Sequence, residues 1–277
     1  MLRRRYALVV PIVAALAVAG CGDSNNKVSS KPSEPTQKGG MGEGGTMEAH
    51  TGARVALKSP KGGAVVTGTS VPTDVSLSDF RVDCRFAGTP DKPGVGHYHI
   101  ELDGSLVNMF CHDRASVSMQ NVAPGSHTLA FIPAANDHAD DLKAEKKVSF
   151  VYRPSTPLAP IKAESKGKPS IRILSPKPGS TVRGSFLLTV APKNFEFSCA
   201  LYGKKNVPGY GHWHANVDST SKGMMGMGTM LGMSCARSFR VSLAGIKPGQ
   251  HTFFAILEDN QHAPTPEAQS SVKLNVG

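Results

Sequence analysis

The chain has 277 residues, a formal net charge of +10 and five cysteines. The charge does not mark a nucleic-acid binder. Three arginines fall within the first five residues, and the other basic residues are dispersed, with one modest cluster at Lys162, Lys166 and Lys168.

Residues 1–20 read as a secretory signal: a charged start, a short apolar run, then Val18-Ala19-Gly20 before Cys21. The apolar run is short for a membrane span, which needs roughly 20 residues. The Val-Ala-Gly-Cys ending resembles a bacterial lipobox, so Cys21 is expected to be lipidated and to become the mature N-terminus. That places the mature chain outside the cytoplasm and anchors it to the cell membrane. Residues 21–52 are rich in Gly, Ser, Asn, Lys and Thr and cannot bury a core, which predicts a disordered tether.

Beyond the tether the sequence is written twice. Ser59-Pro60 matches Ser175-Pro176, Cys84 matches Cys199, His97 and His99 match His212 and His214, and Asp103 matches Asp218. Further on, Cys111 matches Cys235, His127 matches His251, and His138 matches His262. The offset rises from 115 at Asp103/Asp218 to 124 at Cys111/Cys235, so the second copy carries nine extra residues between these points. The expected domains are residues 53–153 and 170–277, joined by a Pro- and Lys-rich linker at 154–169.

Within the first copy a period of two predicts strands at 54–58, 71–77, 80–86, 97–103, 115–120, 126–132 and 147–152. No segment carries a convincing helical period. About seven short strands between Gly/Pro turn signals predict an all-β architecture: two tandem immunoglobulin-like antiparallel β-sandwiches. The alternation at 80–86 puts Cys84 on the core side, with Cys199 alongside in the second copy. In an oxidising compartment this favours Cys84–Cys111 and Cys199–Cys235 disulfides over cysteine metal ligands.

The strand GHYHIELD sends Tyr98, Ile100 and Leu102 to one face and His97, His99, Glu101 and Asp103 to the other. GHWHANVD repeats this with Trp213, Ala215 and Val217 against His212, His214, Asn216 and Asp218. Each His-x-His pair sets two imidazoles about 6–7 Å apart along the strand, a geometry suited to two metal ligands. A third ligand must come from elsewhere, and His127, His138, His251 and His262 are the candidates. The second copy also holds Met224, Met225, Met227, Met230 and Met233 in a glycine-rich run. Clustered thioethers are soft ligands that favour Cu(I). A glycine-rich methionine run also reads as a mobile loop or a sticky partner-binding patch. Imidazole binding should weaken as pH falls through about 6.5, because the ligand nitrogen must be unprotonated.

The pattern SPKPGSTVRG, then GHWHANVD, then KPGQHTFFAILEDNQHAP resembles bacterial extracytoplasmic lipoproteins with tandem small β-sandwich domains of unassigned function. The second copy carries all three elements. The first departs at the last, reading NDHADD with no proline after the histidine. The resemblance implies fold and location, and no activity. The combination of a small β domain with a Met-rich loop is similar in style to periplasmic copper carriers.

The sequence shows no nucleophile elbow, no His-Glu-x-x-His and no phosphate loop, so catalysis is not expected. Two functions stand open from the residues alone. One is a lipid-anchored protein that binds copper or a similar soft or borderline metal. The other is a non-enzymatic structural or interaction module that meets a partner at the cell surface, with its histidines serving the fold.

Overall fold

The computed structural model describes residues 48–164 and 167–277. The signal segment, Cys21 and nearly all of the tether lie outside the described residues. Repeat 1 contains β1 (Arg54–Ser59), β2 (Ala64–Val66), β3 (Ser70–Ser78), β4 (Arg81–Val82), β5 (Val95–Leu102), β6 (Ser105–Phe110), β7 (Arg114–Ser118), β8 (Gly125–Ala134) and β9 (Lys146–Tyr152). Repeat 2 contains β10 (Ser170–Ser175), β11 (Thr181–Val182), β12 (Ser185–Lys193), β13 (Glu196–Phe197), β14 (Tyr210–Val217), β15 (Met230–Ser234), β16 (Ser238–Ser242), β17 (Gly249–Glu258) and β18 (Pro264–Val276). Only short 3-10 turns interrupt the strands, and no helix among the described residues is long and apolar enough to cross a membrane.

Each repeat is a two-layer sandwich. One layer is three-stranded, β1-β3-β7 or β10-β12-β16. The other runs β2-β9-β8-β5-β4 with β6 on β5, or β11-β18-β17-β14-β13 with β15 on β14. Alternation seals the core between the layers: Val71 and Val75 from β3 meet Tyr98, Ile100, Leu129, Phe131 and Phe150 from the opposite layer. In repeat 2, Trp213 takes the place of Tyr98. It is fully buried, and its indole N–H donates to the Ala236 carbonyl at 2.8 Å. Truncating it to alanine would cost about 3–5 kcal/mol.

Both disulfides form within their repeats, with Cα separations of 5.6 Å for Cys84–Cys111 and 5.3 Å for Cys199–Cys235. Loop closure on this scale contributes roughly 3–4 kcal/mol each. The geometry that brings them together is not the expected one. The strand anticipated at 80–86 ends at Val82, and Cys84–Phe86 turns as a 3-10 helix. Asp83 initiates that turn: its carboxylate accepts from the Arg85 backbone N–H and from the Arg85 guanidinium. Cys84 is therefore half-buried and Cys199 exposed, rather than core-facing.

The two sandwiches dock through β6 and β15, the equivalent strands of the two copies. Gly88 of repeat 1 lies against the backbone of Met230 on β15, and Gly203 of repeat 2 lies against the carbonyl of Leu106 on β6. Gly88 corresponds to Gly203, and Leu106 to Met230. The interface is thus reciprocal, as in an isologous dimer held within one chain. The nine extra residues form a 3-10 turn at Met224–Thr229 ahead of β15. In repeat 1 the same connection is the two-residue turn Asp103-Gly104, both at positive φ, as a tight hairpin demands.

Candidate metal centres

The glycine before each His-x-His pair is required by packing. A Cβ on Gly96 would collide with the Ala134 carbonyl of β8, and one on Gly211 with the Glu258 carbonyl of β17. With these glycines, β5 and β14 lie close to their neighbours, and the histidine faces are set by strand alternation. The faces agree with expectation. The exposure does not: His97, His99, His212 and His214 are at most 3% exposed. They point away from their own sandwich core and are covered by the docked repeats.

The third ligand position is filled by the histidine of the loop after β8 or β17. In repeat 1, His97 Nε2 lies 3.1 Å from His99 Nε2 and 3.0 Å from His138 Nδ1, and the last two are 3.5 Å apart. In repeat 2, His212 Nε2 lies 3.0 Å from His214 Nε2 and 2.9 Å from His262 Nδ1, with 3.4 Å closing the triangle. The point equidistant from the three nitrogens is about 1.9 Å from each in repeat 1 and about 1.8 Å in repeat 2, against about 2.0–2.1 Å for a zinc–imidazole bond. Each triad could hold one metal ion.

The outer partners fix which nitrogens face the centre. His99 Nδ1 meets Asp140 Oδ1 at 2.7 Å, so its Nε2 carries the lone pair. His138 Nε2–H donates to the Met230 carbonyl across the interface at 2.8 Å, leaving Nδ1 as acceptor. His262 Nε2–H does the same to the Leu106 carbonyl at 2.9 Å. Each repeat thereby orients a ligand of its own site on a strand of the other. In repeat 1 only His97 has a proton to offer the centre, and that one proton must be shared between the His99 and His138 nitrogens. His138 and His262 also sit in left-handed backbone, φ 65° and 62°. A non-glycine residue held there costs of order 1–3 kcal/mol and is a mark of a functional constraint.

Burial moves the ring pKa values down. His97, His212 and His214 fall well below 6.5 through burial first and neighbouring imidazoles second. His138 falls to about 3 and His262 to about 4, chiefly by burial. His138 also lowers His214 of the other repeat, so the two centres feel each other. The expectation that protonation acts near pH 6.5 is therefore corrected to a lower range for the folded chain.

His127 and His251 stand apart from the triads. His127 bridges Asp103 Oδ2 at 2.7 Å and the Ala123 carbonyl at 2.9 Å. His251 bridges Asp218 Oδ2 at 2.6 Å and the Lys247 carbonyl at 2.8 Å. Both ring nitrogens are engaged, and the pairing ties the end of the His-x-His strand to its neighbour. Met227, Met230 and Met233 are buried in an apolar cluster that spans both repeats, at 2, 0 and 8% exposure. The run is packed interface there, not a mobile loop. The side chains of Met224 and Met225 lie outside the described residues. Met233 pairs directly with His214 across β14 and β15, and Met109 with His99 across β5 and β6, so each triad has a thioether as its same-face neighbour.

Sequence reasoning missed Asp140, Glu258 and Met109. The first two exchange places between repeats. Asp140 occupies the position of Pro264, and Glu258 that of Ala134. The missing proline in NDHADD was the visible sign, because a carboxylate stands in its place. Glu258 is 2% exposed, its Oε1 lies 3.6 Å from His214 Nδ1, and burial pushes its carboxyl up to about 9.

No protein-family model matches the sequence, and no curated protein matches it. Among solved structures, the chain is similar to the fibronectin(III)-like modules of Clostridium thermocellum CbhA, at 14% identity over 80% of this chain and 93% of that one, TM-score 0.26. It is also similar to a tetra-tandem repeat from the extending region of a large adhesion protein, at 10% identity over 81% of this chain and 48% of that one, TM-score 0.24. Chicken CNTN1 FN1-FN3 domains match at 8% identity over 80% of this chain and 66% of theirs, TM-score 0.24.

Proposed function

We propose that this chain is a lipid-anchored extracytoplasmic metal-binding protein that holds one copper(I) ion in each repeat. The observation that carries the reading is the convergence of three buried imidazole nitrogens to within 3.5 Å of one another, in both copies. A hydrogen-bonded histidine core needs donors as well as acceptors at the centre, and in repeat 1 two of the three nitrogens are fixed as acceptors by their outer partners. Monovalent copper suits the set better than zinc or copper(II). Zinc sites are four-coordinate, and copper(II) favours tetragonal geometry. A single positive charge costs less to bury among neutral rings than two. The thioethers of Met109 and Met233 beside the triads fit a soft ion. Both the Val-Ala-Gly-Cys segment and the resemblance to tandem-sandwich lipoproteins support the location.

Titration of the whole chain, purified in detergent, tests this. Two Cu(I) equivalents should bind, with zinc weaker. His97→Ala and His212→Ala should each remove one equivalent, and the double variant both. Binding no tighter than about 10 μM for Cu(I), Cu(II) and Zn(II) alike would refute the metal reading and leave the triads a role in folding.

A further inference from the structure

The outer faces of the two three-stranded layers differ in charge. On repeat 1, Arg114 Nε lies 3.1 Å from Asp74 Oδ2 and Lys58 Nζ lies 3.7 Å from Asp74 Oδ1, so the basic groups stand beside an acid. On repeat 2 the positions of Asp74 and Arg114 are Thr189 and Ser238, whose hydroxyls meet at 3.1 Å. Arginine enters at other positions instead. Arg183, just before β12, and Arg240 of β16 line a groove of about 610 Å³ together with Arg85 of repeat 1 and the hydroxyls of Ser185 and Ser242. No acidic residue lines it. Neither Arg183 nor Arg240 has an ion-pair partner among the described residues; Arg240 only donates to Ser185 Oγ, at 3.5 Å. Asp83 orients Arg85 and is itself shared with Arg81. None of the three arginines is matched in the other copy: Arg85 aligns with Ala200, Arg183 with Thr67 and Arg240 with Ser116. Duplication of the domain does not account for them, and guanidiniums gathered without an acid repel one another.

Apolar side chains share this face. Leu187 pairs with Arg240 across β12 and β16, and both point away from the core that Phe186, Leu188 and Val241 fill. Leu174 of β10 stands on the same side, because Ile171 and Ile173 turn inward. Leu187 and Leu174 are 47% and 37% exposed, the large hydrophobic side chains that repeat 2 leaves in solvent among the described residues. Leucine beside arginine fits a surface that is anionic outside and apolar just beneath. The planar guanidinium also matches a phosphate with two parallel hydrogen bonds. We propose that this face docks on a bilayer of anionic phospholipid. The groove of Arg85, Arg183 and Arg240 takes a headgroup phosphate, and Leu174 and Leu187 enter the interface beside it. No triad residue lies on this face, so the inference stands apart from the metal reading and draws only on the membrane location proposed above.

The test follows the whole chain on vesicles by tryptophan emission. Trp213 is the one tryptophan of the chain and is fully buried, so Leu187→Trp adds a reporter on the face alone. The protein is mixed with vesicles of brominated phosphatidylglycerol or brominated phosphatidylcholine and recovered by flotation. The added emission should be lost to bromine quenching on phosphatidylglycerol and kept on phosphatidylcholine. Each arginine near an anionic surface is worth about fivefold in partitioning, so adding Arg183→Gln and Arg240→Gln should weaken docking about thirtyfold and restore the emission. Pro72→Trp, at the matching position of repeat 1, should stay unquenched. All four substitutions fall on exposed side chains. Equal quenching at Pro72→Trp, quenching that survives the loss of both arginines, or no quenching in the floated protein would overturn the docking face and leave the membrane location standing. An emission change at Leu187→Trp with inorganic phosphate and none with lipid would make the groove a site for a soluble anion and overturn the bilayer as its occupant. Failure of the parent chain to float would overturn the membrane location and the docking face together.

Discussion

At the residue scale, a carboxylate behind a ligating imidazole raises its basicity and fixes its orientation, and losing it typically costs 10–100-fold in metal affinity. Asp140 lies 2.7 Å behind His99, an imidazole of the proposed repeat 1 metal site. Asp140→Asn should therefore weaken repeat 1 by about ten- to a hundredfold and leave repeat 2 within error, read by competitive Cu(I) titration. An equal loss at both sites would mean that the substitution acts through the fold. The paired histidines of each candidate centre were readable in the sequence, since His-x-His on an alternating strand puts two rings on one face. The choice of third ligand was not. His127 and His138 are both matched between copies, and only the positions of the strand ends show that His127 reaches Asp103 while His138 swings back over β5. Asp140 and Glu258 were hidden because the two copies place the same group on different elements.

At the element scale, the strands were legible because each carries its own alternation. The observed β1, β3, β5, β7, β8 and β9 fall within a few residues of expectation. The three-residue edge piece β2 and the strand β6 were not, and the strand expected at 80–86 survives only as the two residues of β4, because short edges carry too few alternating residues. Nor was the burial of the histidine face. Burial there comes from β6 and β15 docking across the chain, a contact no local pattern encodes. That docking needs glycine at two sites. Gly203 has φ 66°, and a Cβ there would lie 2.7 Å from the Leu106 carbonyl; Gly63 has φ 73° and open space around it. Gly63→Ala pays only the left-handed penalty of about 1–2 kcal/mol. Gly203→Ala should cost clearly more and should raise the rate at which protease cuts the 154–169 linker, because the clash falls on the interface. Equal melting shifts for the two variants would show that the repeats do not depend on this close approach.

At the scale of the whole molecule, the triads tie stability to pH and to metal with a sign that can be worked out. The folded pKa of His138 is about 3 and that of His262 about 4, both below the unfolded value near 6.5. Between these limits the unfolded chain binds more protons than the folded one, so stability rises with pH and is fully present above about 6.5. It is lost as pH falls toward the folded values. From pH 7 to 5 each of these two residues withdraws about 2 kcal/mol, and the lowered rings of His97, His212 and His214 act in the same direction. His251, raised by Asp218, runs the opposite way but is only one partly solvated group. Because His138 and His262 each bind the opposite repeat, protonation strikes the interface and both centres together. The metal-free protein should therefore melt markedly lower at pH 5 than at pH 7. On the proposed function, copper would bind only the folded triads and add about 4 kcal/mol at a thousandfold excess over its Kd, so it should restore most of that loss at pH 5.5. Thermal melts at pH 7.5, 6.5, 5.5 and 5.0, with and without Cu(I), check both parts. A flat metal-free profile would mean that His97, His138, His212, His214 and His262 are not held neutral in the fold. A steep profile that copper fails to lift would mean that protons, and not metal, are what the triads were built to exclude.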